Sequence, residues 1–190
     1  MKIDLTEIYK GLKAWRHERG ITADSQKAGY LVNVMEEFGE LASALRDYEK
    51  FSAADYPYQK NKKYAEHGII DALCDIGVFT INAGADIPCY NKPTRLELEP
   101  CLSLDNLLKE IADHQRCFNS ITLCYVLGVC ASLCHQYGFN FEIAMLETIK
   151  EISSRTGAYD ENAKKWVKDE SDEAKAKWYQ ANYELARIEK

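Results

Sequence analysis

The chain lacks any apolar run of the roughly eighteen residues that a membrane-spanning helix needs. It also lacks an apolar N-terminal leader, since Met1-Lys2-Ile3-Asp4-Leu5 opens directly into a charged amphipathic stretch. A basic surplus is missing: 24 lysines and arginines stand against 30 aspartates and glutamates, and the resulting charge of −6 argues against a binder of nucleic-acid polymer. The glycine signatures GxxxxGK(S/T), GxGxxG and GxSxG are absent, and with them the usual phosphate loops and the nucleophile elbow. No alternating strand pattern is visible. The seven cysteines are odd in number and sit in apolar stretches such as Thr122 to Cys130, which suits reduced core thiols in a cytoplasmic protein. Cys130, Cys134 and His135 have no second ligand pair at zinc spacing.

What is present is helical periodicity. With 46% hydrophobic and 28% charged residues, the 190-residue chain can bury a sizeable core, and it reads as one all-α domain over 1–190, a helical bundle. Leu5, Ile8, Tyr9, Leu12 and Trp15 predict a helix over 4–19 that stops at Gly20. A second helix is expected over 26–50, capped by Asp24 or Ser25, with Met35, Phe38, Leu41 and Leu45 on its apolar face. Others are expected over 64–83, from Ser103 or Asp105 to 117, over 119–137 ending at Gly138, and over 141–153. Segments around Pro57 and between Pro88 and Pro93 read as loops. Beyond Gly157 the sequence turns polar but keeps Trp166, Trp178, Tyr179 and Tyr183. These aromatics should pack on the chain itself or on a partner subunit. His114 reads as structural.

Two acidic stretches interrupt this pattern. In the second helix Glu37 and Glu40 form a stripe with Asn33, and Glu36 sits at its edge. In the third, steps of four and seven place Asp71, Asp75 and Asn82 on one face of an otherwise apolar helix. Ionised carboxylates on a buried helix lose several kcal/mol unless they are paired or bound to metal, so these require compensation. A hard divalent cation supplies it, and Mg²⁺ keeps positions open for water and phosphate oxygens. The alternatives are a solvated face for Glu36, Glu37 and Glu40 and a satisfied core amide for Asn82. Lysines 60, 62 and 63 likewise read either as solvated or as a phosphate-facing lid.

Glu36-Glu37-Phe38-Gly39-Glu40 followed by Asp71-Ala72-Leu73-Cys74-Asp75 resembles the EExxE and ExxD elements of the all-α nucleoside triphosphate pyrophosphatases, the MazG and dimeric dUTPase superfamily. Trp15, Arg19-Gly20-Ile21 and Gln26 fit the same pattern. More loosely, Glu151 to Gly157 and Lys165 to Asp169 look like C-terminal segments of MazG-like proteins. The resemblance implies a metal-binding helical core over about 4–87 with a C-terminal helical extension over about 101–190. It implies hydrolysis of (deoxy)nucleoside triphosphates, dUTP among them, to monophosphate and pyrophosphate. It further implies Mg²⁺, with Mn²⁺ as a substitute, held by Glu37, Glu40, Asp71 and Asp75. Glu36 and Glu37 would be catalytic, Glu36 by assisting or orienting the attacking water. The nucleotide would meet Asn82, Arg155, Lys165 and Lys168, and the protein would be a homodimer or homotetramer. Ala72 departs from the pattern, because the family's acidic residue falls there, and Asp71 one position earlier can take its place. Arg16, His17 and Arg19 either complement the dipole of the first helix or reach toward the nucleotide. A non-catalytic helical protein with acidic interaction stripes is the competing reading.

Overall fold

The computed structural model describes residues 2–53, 59–88, 93–100, 102–160 and 165–189. The elements run β1 (Lys2–Asp4), α1 (Thr6–Glu18), α2 (Ala23–Ser52), α3 (Gln59–Ala83), β2 (Arg95–Glu97), α4 (Leu104–Arg116), α5 (Ser120–Gln136), α6 (Phe141–Ser154), β3 (Gly157–Asp160), β4 (Lys165–Lys168), α7 (Asp172–Lys175) and a 3₁₀ turn at Tyr183–Ala186. The fold is mostly α-helical, and one hydrophobic cluster extends from Ile3 to Ala186. No described helix is long and apolar enough to cross a membrane.

The central element is α3, because its sequence is apolar nearly all round. Ile69, Ile70, Leu73, Cys74, Ile76 and Ile81 are buried, and the helix packs against α2, α5, α6 and α1. Caps set the helix starts where short polar side chains precede apolar runs. The Asn119 side chain accepts from Ile121 and Thr122 N–H, and that of Asn140 from Glu142 and Ile143 N–H. The cap of α2 is Thr22, accepting from Ser25 N–H at 3.2 Å, rather than Asp24 or Ser25. Gly20 and Gly138, expected to end helices, stand at φ of 63° and 84°. Cys74, Cys130 and Cys134 are buried free thiols. His114 is fully buried, its Nδ1 2.8 Å from Thr122 Oγ1, and burial drives its pKa down to about 4.

Three expectations are corrected. Strands do exist: β1 and β2 pair antiparallel with Ile3 opposite Leu96, and β3 and β4 form a hairpin with Tyr159 opposite Trp166. Three- and four-residue strands are too short to display the two-residue alternation by which a strand is recognised. For the same reason the chain beyond Ser154 is a hairpin, one helical turn and a 3₁₀ turn, not a continuous helical extension. On α2 the buried face is Tyr30, Val34 and Leu41, while Met35 is 41% exposed.

Candidate functional site

The acidic stripes of α2 and α3 meet, but over two adjoining spaces. A cavity of about 670 Å³ is lined by Glu37 and Asn33 from α2, Asp75 and Phe79 from α3, and Arg155 and Lys168 from the C-terminal segment, with Trp15 and Trp166 among its walls. Next to it a more open cleft of about 450 Å³ is lined by Glu40, Ser43 and Asp47 from α2 and by Asn61, Tyr64 and Asp71 from α3. The three-residue step Glu37 to Glu40 and the four-residue step Asp71 to Asp75 thus straddle the boundary.

Three of these carboxylates, Glu37, Asp71 and Asp75, have raised pKa values. Burial, then Glu40, Asp71 and Glu36, push Glu37 up to about 7, against a partial offset from Lys168. Burial, then Asp71 and Glu37, hold Asp75 well above the usual carboxylate range, with Arg155 acting in the opposite direction. Asp75 accepts no hydrogen bond from any described residue. Asp71 is raised by burial and by Glu151 and Glu40, and lowered by a hydrogen bond from the Tyr183 hydroxyl, 2.6 Å from Oδ1. Such a group is costly in the absence of a cation.

Arg155 lies over the Trp178 ring and donates Nη2 to Glu151 Oε1 at 2.6 Å. Lys168 is placed by the hairpin, and the side chain of Lys165 lies outside the described residues. The hairpin is fastened by Arg19, whose guanidinium lies between the rings of Trp15 (5.2 Å) and Trp166 (4.9 Å). It also donates to the carbonyls of Ile152, Ser153 and Arg155, satisfying the C-terminus of α6. Arg19 Nη1 also donates to the Trp15 carbonyl in the last turn of its own helix at 3.4 Å, so Arg19 caps two helix ends and does not line the cavity.

Two of the residues predicted for the site, Glu36 and Asn82, line neither space. Glu36 is exposed on the far edge of α2. Asn82 is fully buried one helical turn beyond Phe79, and its Oδ1 accepts from Arg16 Nη1. Steps of seven and eleven keep Asn82 on the aspartate face, but the cavity ends before it.

Three residues were missed. Glu151 lies close enough to raise both Asp71 and Asp75. Both its oxygens are engaged, Oε1 by Arg155 and Oε2 by the N–H of Ala181 at 2.8 Å, so it holds the wall instead of facing the cavity. Glu147, 1% exposed, accepts from the Tyr179 hydroxyl, from Asn182 N–H at 3.1 Å and from Lys150. Tyr183 reaches Asp71. The one available signal was Glu147 and Glu151 at a four-residue step in an apolar helix, the same signal that Asp71 and Asp75 give.

The donor set Glu37, Glu40, Asp71 and Asp75 consists of hard oxygen ligands that repel one another, which fits a divalent cation in kind. Among the described residues, no three histidine, cysteine, aspartate or glutamate side chains are gathered around one point as a metal requires. The spread over two adjoining spaces accounts for this. Chemically, the cavity lining combines two carboxylates, an arginine, a lysine and aromatic rings. Compared with known proteins, the chain matches no family model, no curated protein and no solved structure.

Proposed function

We propose that the protein is a Mg²⁺-dependent pyrophosphohydrolase of (deoxy)nucleoside triphosphates, releasing the monophosphate and pyrophosphate, in line with the resemblance of its acidic elements to the MazG and dimeric dUTPase superfamily. The observation that carries this reading is the shared cavity. Glu37 and Asp75 line, together with Arg155 and Lys168, a space large enough for a nucleotide, and Trp15, Phe79 and Trp166 add aromatic lining against which a base would pack.

Glu37, Glu40, Asp71 and Asp75 would hold the cation. A bound Mg²⁺ neutralises phosphate charge and lowers the pKa of a coordinated water. Glu37, beside the cation, would orient the attacking water and take its proton. Water oxygen bonds to the α-phosphorus, the bond from that phosphorus to the bridging oxygen breaks, and pyrophosphate leaves with the electron pair. Exposed Glu36 is the weaker candidate for that proton. Arg155 and Lys168 bind phosphate oxygens and favour the charged transition state.

A homodimer or homotetramer belongs to the same reading, because Leu31, Val32 and Met35 expose apolar surface on α2 beside the acidic stripe. The same strip favours the second reading, a non-catalytic helical interaction protein. Pyrophosphate and orthophosphate release from a panel of canonical and modified dNTPs and NTPs, with Mg²⁺, Mn²⁺ or chelator, separates the two. Metal-dependent pyrophosphate release is expected from one or a few substrates. No release from folded, metal-supplied protein would leave the interaction reading.

A further inference from the structure

Of the four acidic residues, Asp71 has an unusual partner. Its Oδ1 lies 2.6 Å from the hydroxyl of Tyr183, a residue 112 positions away and only 4% exposed. The same hydroxyl lies 3.0 Å from Thr148 Oγ1, which is itself 3.1 Å from the carbonyl of Ala144. A carboxylate is a stronger acceptor than a hydroxyl, so the tyrosine proton goes to Asp71, and the threonine proton serves Ala144 or the phenol oxygen. Oδ2 of Asp71 receives no hydrogen bond from any described residue.

Tyr183 occupies this position because the segment before it is fixed on both sides. Ala181 N–H donates to Glu151 and Asn182 N–H to Glu147, both on α6. After it, Glu184 Oε1 lies 2.7 Å from His67 Nε2 on α3, and Asn140 N–H donates to Ala186 carbonyl at 2.7 Å. Buried Glu147, half-buried Glu151 and a histidine are thus committed to holding one short segment, whose only buried polar side chain points at the acidic site.

We propose that Tyr183 is a positioning residue for Asp71: its hydroxyl fixes the rotation of the carboxylate through Oδ1 and presents Oδ2 to a divalent cation. The C-terminal segment Ala181–Ala186 is then a working part of the site. This rests on the cation-binding role given to Asp71 above. Groups that orient a metal ligand commonly affect metal affinity by about 10–100-fold, and that is the scale expected here.

The test is Mn²⁺ binding to the full chain, read from the loss of the free-ion electron paramagnetic resonance signal, with no nucleotide present. Tyr183→Phe keeps the ring and removes only the donor, and should weaken Mn²⁺ binding by about tenfold. Thr148→Val removes the other partner of the hydroxyl and should leave binding within about twofold, because the donor to Asp71 persists. In the Asp71→Asn background Tyr183→Phe should cause no further loss, as for two residues acting through one interaction. Wild-type affinity in Tyr183→Phe, or additive losses in the double variant, would overturn the positioning role while leaving cation binding in place. A wild-type protein that takes up no Mn²⁺ would overturn both.

Discussion

Helices α3 and α6 carry the same signature, two carboxylates four residues apart in an apolar helix, and use it in opposite ways. On α6, Glu147 and Glu151 are saturated: tyrosine, lysine and arginine side chains and two backbone N–H groups occupy their oxygens. Burial pushes Glu147 upward, but the bonds from Lys150, Tyr179 and Asn182 outweigh it and its pKa falls below the ordinary value. On α3, Asp75 has no such partner and its pKa rises. Asp71 lies between these cases, with one oxygen held by Tyr183. A carboxylate pair is thus structural on α6, where the protein supplies its donors, while on α3 the proposed cation would supply what the protein does not.

The sharpest way to break this comparison is to remove one carboxylate from each helix. Glu147→Ala removes the shared acceptor of the part-exposed Tyr179 hydroxyl and of Asn182 N–H, and should cost about 2 kcal/mol in urea unfolding. Asp75→Ala should leave the metal-free protein equally stable or more so, since it removes only like-charge repulsion. Equal destabilisation by the two would make Asp75 structural as well.

The same contrast, an uncompensated against a bonded carboxylate, is read from pH at Glu37 on α2 and Glu184 in the 3₁₀ turn. Glu37 has its pKa raised from 4.5 to about 7 in the folded state. The folded state therefore binds more protons between those values, and metal-free stability should fall as pH rises from 4.5 to 7, by about 2 kcal/mol after allowance for partial exposure. Glu184, whose hydrogen bond from Arg187 chiefly lowers it to about 2 despite burial, with His67 contributing, behaves in the opposite sense. Its contribution is present above 4.5 and is lost as pH falls toward 2. Urea midpoints across pH should show both slopes, and Glu37→Gln should flatten only the first. A smaller effect is expected from Lys168→Ala: about a fivefold higher KM for the nucleotide, roughly 1 kcal/mol, in steady-state pyrophosphate release.

Much of this was legible in sequence, and the rest was hidden for identifiable reasons. The helices show through because Leu5 to Trp15, Ile69 to Ile81 and Leu123 to Cys134 repeat apolar residues at helical spacing over several turns. Asp71 and Asp75 stand out because nothing near them in sequence neutralises them. Glu147 and Glu151 give the same signal but lie beside Lys150 and Arg155, which makes them resemble an ordinary ion-paired face. The Tyr183 to Asp71 contact and the Arg19 stack on Trp166 join residues more than a hundred positions apart, and periodicity carries no information on such pairs. The hairpin is hidden by its four-residue strands, and it additionally requires Gly157, where an added Cβ would fall 2.2 Å from the carbonyl oxygen of Val167. Met35 was misplaced because the buried face of α2 follows Tyr30, Val34 and Leu41, a rotation that only the partner helices decide.

The most direct test of the difference between the two carboxylate pairs is thermal unfolding at pH 8 with saturating Mg²⁺ and with chelator, for the wild type, Asp75→Ala and Glu147→Gln. Ligand binding at about a hundred times Kd stabilises by about 2.7 kcal/mol, which for a chain of this size is a rise in Tm of about 5–10 °C. That rise is expected in the wild type and, from a lower starting point, in Glu147→Gln, and it should vanish in Asp75→Ala. A wild-type Tm indifferent to Mg²⁺, or an undiminished rise in Asp75→Ala, would contradict a cation site on α3.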